Sequence, residues 1–137
     1  MNKEWGILKA GRYLEEDDID FEISFYEDVI RESPDHVNAL FLLGDAYTKK
    51  GLYAKGLEMD LRLANLLPTD PTIRYNLACD YSLLKRSDSC IEALEKAIKF
   101  GYRAFKHMDR DPDLEYIRRD ARYGELLLRY RKSRARR

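Results

Sequence analysis

From Val37 onward, apolar side chains return three and four residues apart, at Leu40, Phe41, Leu43, Gly44 and Tyr47. That spacing paints one face of a helix and lacks the strict alternation of a strand. A second run carries Leu57, Leu61 and Ala64, then Leu66 and Leu67 ahead of Pro68. Between the runs stands Lys49-Lys50-Gly51-Leu52. A glycine behind a lysine pair fits a helix C-terminus, where cations face the negative dipole end and glycine takes the left-handed backbone. The turns Glu32-Ser33-Pro34-Asp35-His36 and Leu67-Pro68-Thr69-Asp70-Pro71 bound this helix pair, and the interval from Pro34 to Pro68 sets a period.

The pattern returns at that interval. Leu43 maps to Leu77, Gly44 to Ala78, Tyr47 to Tyr81, Gly56 to Cys90, Leu57 to Ile91 and Ala64 to Ile98. Size and polarity recur more than identity. Backward, Ile23, Tyr26, Val29 and Ile30 ahead of Pro34 read as the second helix of an earlier unit. A fixed period with two helices per unit predicts a repeat architecture, in which no unit buries its apolar face alone and terminal caps are needed.

The run Leu40-x2-Leu43-Gly44-x2-Tyr47, then Gly56-x3-Asp60, then Pro68, resembles a tetratricopeptide repeat. Its next copy reads Arg74-x2-Leu77-Ala78-x2-Tyr81, then Cys90-x3-Leu94, with Ala97 in the later small-residue slot. The resemblance implies an all-α fold, a short right-handed solenoid of paired antiparallel helices. Residues 1–16 are expected as a degenerate or frayed helix, since Trp5, Leu8, Tyr13 and Leu14 fall out of phase. The array is expected over 17–104, as a partial unit at 17–36 and full units at 37–70 and 71–104. About six repeat-type helices and one to three short C-terminal ones follow from the period. Residues 105–128 resemble the closing element found after such repeats in bacterial proteins. There Asp111 before Pro112, and Asp120, are expected helix N-caps, and Leu114, Ile117, Tyr123, Leu126, Leu127 and Tyr130 are expected to cover the last repeat. Residues 129–137 form a basic tail.

Composition narrows the function classes. The chain has 137 residues and a formal net charge of zero. That zero conceals a gradient, with −7 over residues 1–36, +1 over 37–100 and +6 over 101–137. Apolar residues make up 45%, too many for a disordered chain. The longest apolar runs reach four or five residues, too short to span a bilayer. Met1-Asn2-Lys3-Glu4-Trp5 has no apolar leader core. Cys79 and Cys90 make no disulfide framework, so a reduced, cytoplasmic chain is expected.

No constellation points to catalysis or a cofactor. Neither cysteine has a nearby histidine, His36 sits in a turn, and His107 lies among Asp109, Arg110 and Asp111. No zinc spacing, nucleophile-base pair or glycine-rich phosphate loop is visible. No metal, no cofactor and no enzymatic activity are expected. The acidic run Glu15-Glu16-Asp17-Asp18-x-Asp20 reads as acid enrichment at a helix start, capped by Asp17 or Asp18.

Protein binding is the expected function, in a scaffold or adaptor. The resemblance implies a concave groove lined by Asn38, Phe41, Leu42 and Asp45 from one unit and by Thr72, Tyr75, Asn76 and Cys79 from the next. Asn76 matches a slot that often bonds a bound peptide's backbone. The carboxylate clamp of chaperone-binding members needs Lys and Arg where Phe41, Asp45, Tyr75 and Cys79 stand, so that activity is disfavoured. A peptide or helix with apolar anchors suits these slots, or the chain's own terminal segments fill them. Asp60 and Arg74 occupy slots usually apolar in the family, and either pair across neighbouring helices or both face water. The tail cations Arg129, Arg131, Lys132, Arg134, Arg136 and Arg137 read as a solvated helix end. Alternatively they contact nucleic acid, an anionic membrane surface or another acidic partner, including the acidic 15–35 region of this chain or of a second copy.

Overall fold

In the computed structural model, residues 11–135 are described, with side chains for residues 18–131. Seven α-helices and two 3₁₀ turns are present among them, and no strand. The helices are α1 (Gly11–Glu32), α2 (Val37–Lys49), α3 (Tyr53–Leu66), α4 (Pro71–Leu83), α5 (Ser87–Lys99), α6 (Phe105–Arg110) and α7 (Ala121–Ala135). The 3₁₀ turns, Pro112–Leu114 and Ile117–Arg119, lie between α6 and α7. The all-α expectation holds. The chain divides into two compact units, Met1–Met59 and Asp60–Arg137.

In the first unit, α2 follows its sequence pattern. Ala39, Leu40, Leu43, Gly44, Ala46 and Tyr47 are buried along one stripe. His36 caps this helix, its Nδ1 accepting from the Ala39 amide at 3.1 Å. A side-chain acceptor at this position satisfies one of the free amides of the first turn. Tyr47 fastens α2 to α1, its hydroxyl donating to Glu27 Oε2 at 2.6 Å, and Lys50 pairs with Asp20.

One boundary differs from expectation. Helix α1 runs unbroken from Gly11, so Asp17 and Asp18 lie inside it rather than at its start. No proline or glycine falls between Gly11 and Ser33 to stop the helix, and acidic residues alone do not end one. Trp5 and Leu8, expected in a degenerate helix, lie outside the described residues.

In the second unit, Asp70 caps α4 by accepting from the amides of Thr72 and Ile73 at 2.9 and 3.1 Å, with Pro71 in the first turn. α4 and α5 pack along one another through Leu77, Ala78, Cys90, Ile91, Leu94 and Ala97, all buried. The Cys90 thiol donates to the Ala78 carbonyl at 3.2 Å, so only small residues fit this crossing. Helix ends repeat too. Gly51 has φ 87°, and Lys85, at the matching position of the next repeat, is held at φ 60°. Both turns close alike, with Leu52 N bonded to Tyr47 O and Arg86 N to Tyr81 O, each at 2.8 Å.

The segment after α5 covers that pair. Leu114 and Ile117 are fully buried, and Tyr123, Leu126 and Leu127 nearly so, while Tyr130 is half-buried. Asp111 caps the first 3₁₀ turn, accepting from Asp113 N at 3.0 Å. Asp120 accepts from Arg122 N at 2.9 Å at the start of α7. Arg122 also holds Asp88 of α5 at 2.8 Å and pulls the Asp120 carboxyl down to about 2.

Candidate functional site

The expected groove residues fall into two environments. On α2, Asn38, Phe41, Leu42 and Asp45 are all exposed, with Phe41 and Leu42 each 40% accessible. Asp45 pairs with Lys49 at 3.0 Å, and its carboxylate raises the lysine's pKa. Large apolar side chains at this exposure on a helix already buried along its other face leave an apolar strip without cover.

On α4, Thr72 is exposed and Asn76 half-buried, whereas Tyr75 and Cys79 are buried. The structure corrects the expectation that these two face a ligand freely, because the chain's own 102–111 segment covers them. The Tyr102 ring stacks on Tyr75 at 4.3 Å with 5° between the planes. Asp111 Oδ2 accepts from the Tyr75 hydroxyl at 2.5 Å and lies 3.8 Å from Cys79 Sγ. His107 Nε2 approaches the same oxygen at 3.2 Å. Arg118 reaches the backbone of this segment, donating to the Met108 and Asp111 carbonyls at 2.8 and 2.9 Å. Asp111 thus does more than cap a turn, since its carboxylate fastens the closing segment to α4.

Burial, then the negative groups around Asp111, push the Cys79 thiol well above its ordinary range. A thiol so held is no nucleophile. Donor atoms of Cys79, Asp111 and Asp113 lie within 4.8 Å of one another, the kind of grouping that can hold a metal ion. The Asp111 carboxylate already serves Tyr75, His107 and the Asp113 amide, so it is satisfied within the chain.

Asp60 and Arg74 take different partners. The Arg74 guanidinium donates to the Pro68 carbonyl at 3.1 and 2.8 Å and lies over the Phe100 ring. Asp60, itself buried, lies beside Asp80 of α4. Asp80 is 3% exposed, and burial first, then Asp60, push its carboxyl up to about 10. Two carboxylates this close in a dry interior cannot both ionise, so the pair keeps a proton. Among the described residues, Asp80 Oδ2 and Ser82 Oγ are buried without a hydrogen-bond partner. The sequence held a signal for this pair, because Asp80 stands where the preceding unit has Ala46, a fully buried position.

Similarity to known proteins follows the same elements. Residues 71–100, spanning α4 and α5, match the tetratricopeptide repeat family model. The chain carries a tetratricopeptide repeat at these residues. The solved structure of MamA MSR-1 C2 superposes with a TM-score of 0.58 at 20% identity, covering 86% of this chain and 72% of that one. Over 96 residues, 66% of its length, this repeat protein is 36% identical to a chloroplastic protein of Arabidopsis thaliana. The match spans 28% of that relative's length.

The repeat protein's basic end is partly described. Arg129 Nη2 lies 3.5 Å from Glu95 of α5, and Arg131 is exposed. The side chains of Lys132 and Arg134, and the residues Arg136 and Arg137, lie outside the described set. No helix among the described residues is long and apolar enough to cross a membrane.

Proposed function

We propose that this chain is a non-enzymatic protein-interaction scaffold that holds a peptide or a helix against α2. The open pair Phe41 and Leu42, each 40% exposed on one helix, carries this reading. Burying the 40% of each that remains exposed contributes about 1 kcal/mol per side chain, so the two anchors together account for about tenfold in affinity. Asn38 and Asp45 flank them in the same helix, the one able to donate and accept, the other acidic. These neighbours fit a ligand with two apolar anchors and a basic group within a turn of them. The tetratricopeptide fold supports a scaffold, since its repeats present surface to partners.

Peptides selected from a random display library on the immobilised full chain would test this. Titrated calorimetrically against wild type and against Phe41→Ser with Leu42→Ser, the best peptide should lose about tenfold or more in affinity. The unfolding midpoint should stay where it was. Affinity unchanged in the double variant would remove α2 from the site.

A further inference from the structure

Helix α1 carries two apolar stripes. Ile23, Tyr26 and Ile30 are half-buried, on the side where Glu27 meets Tyr47 of α2. Phe21 and Phe25 project further into water, 70% and 52% exposed, their rings stacked at 6.4 Å, and the Phe25 ring meets Tyr26 edge-on at 5.2 Å. Asp18, Glu22, Asp28 and Glu32, all exposed, line this second stripe at helical spacing. An aromatic pair held this far into water on a helix already buried elsewhere marks a docking face.

The carboxylates say what kind of partner fits. Asp28 is paired with Arg31 at 2.6 Å, and two copies meeting α1 to α1 would set the other three acids against three more, which like-charge repulsion opposes. A partner must bring cations, and this chain has them at its other end. On α7, Leu128 is 53% exposed, and Ala121 and Gly124 lie exposed on the same strip. Nothing stands within 4 Å of where a Gly124 side chain would be, so the strip is flat and open. Arg131 is exposed one turn further on, within a stretch where six of nine residues are basic. Glu125 is the single acid of that helix.

We propose that the Phe21/Phe25 face of α1 docks on the Leu128 strip of α7 in a second copy of this chain, head to tail. The aromatic rings lie on the small-residue strip, and the carboxylates of α1 face the cations that follow Leu128. The contact uses two different surfaces, so each copy keeps one of each free and assembly continues into a linear chain unless the rotation closes a ring.

Sedimentation equilibrium on the full chain tests it, at about 100 µM protein in about 30 mM and then about 300 mM salt, which shortens the reach of exposed charges severalfold. The expected result is a mass above one chain at low salt that falls toward one chain at high salt. Phe21→Ser with Phe25→Ser removes one surface, and Leu128→Glu with Arg131→Glu the other. Both variants change exposed positions, and their helicity by circular dichroism should match wild type. Each alone should sediment as a single chain, and the two mixed should form a one-to-one pair and nothing larger. Wild type that stays a single chain at both salts overturns the proposal, as does a variant that still self-associates or a mixture that forms no pair.

Discussion

Phe41 and Tyr75 occupy the same place in successive repeats, yet Phe41 is 40% exposed and Tyr75 4%. Asp45 and Cys79 differ in the same way, exposed against buried. The helices are alike in length, spacing and capping, so helix formation does not explain the contrast. What differs is what lies on them. Tyr75 and Cys79 carry the weight of Tyr102 and Asp111, whereas the α2 face keeps its apolar surface available. A repeat position has a role only through its neighbours, and an array can hold a binding face and a structural joint at equivalent positions.

The strongest way to break this comparison is to truncate both members. Tyr75→Ala should cost about 3–5 kcal/mol, the range for removing a buried aromatic. It also strips Asp111 of its shortest bond. Phe41→Ala should stay within about 1 kcal/mol, as expected for a partly exposed position. Urea denaturation of both variants measures the difference, and equal losses would mean the two faces are equally structural.

Ala46 and Asp80 form a second matched pair, one a neutral filler and the other a buried acid. Between the ordinary 3.8 and about 10, Asp80 is protonated in the folded chain and ionised in the unfolded one. Folding therefore takes up a proton across that window, and stability is greatest below it and falls as pH rises through it. Asp80→Asn keeps a donor for Asp60 and removes the titration. At pH 8 the variant should be more stable than wild type by on the order of 2 kcal/mol, with a smaller gain at pH 5. Denaturation midpoints at the two values check this, and a gain that does not grow with pH would show that Asp80 is ionised in the fold.

The smallest effect belongs to Gly51 and Lys85, the matched helix ends. Lys85 holds a positive φ that glycine adopts without strain. Lys85→Gly should raise stability by about 0.5–1 kcal/mol, read as a shift in thermal midpoint. A loss would mean that the lysine side chain contributes more than its backbone costs.

The elements were largely legible before the structure. Proline spacing and the recurrence of Leu43 and Tyr47 as Leu77 and Tyr81 located α2 through α5, because punctuation and periodicity are local. The start of α1 was not legible, since acidic residues that suit a helix N-terminus also sit well within a helix. Phe41 and Leu42, which the repeat resemblance assigns to a groove, are exposed on α2. Tyr75 and Cys79 were misjudged because their cover comes from Tyr102 and Asp111, which lie beyond the next helix in the chain. Asp60 stands out in the sequence as a misfit, and the structure buries it beside Asp80 while Arg74 bonds the Pro68 carbonyl. A carboxyl shares a proton with another carboxyl only where water is excluded, and exclusion is a property of packing.

By itself, then, the sequence determined the helical period, the caps at Asp111 and Asp120, the small-residue crossing at Ala78 and Cys90, and the charge gradient from one end to the other. These depend on residues within a few turns of each other, or on composition alone. Tertiary structure alone decided that Tyr75 is a joint while Phe41 is a surface, that Asp80 keeps its proton, and that Asp111 binds a closing segment. Each of those depends on which distant group arrives at a given side chain and on how much water it displaces.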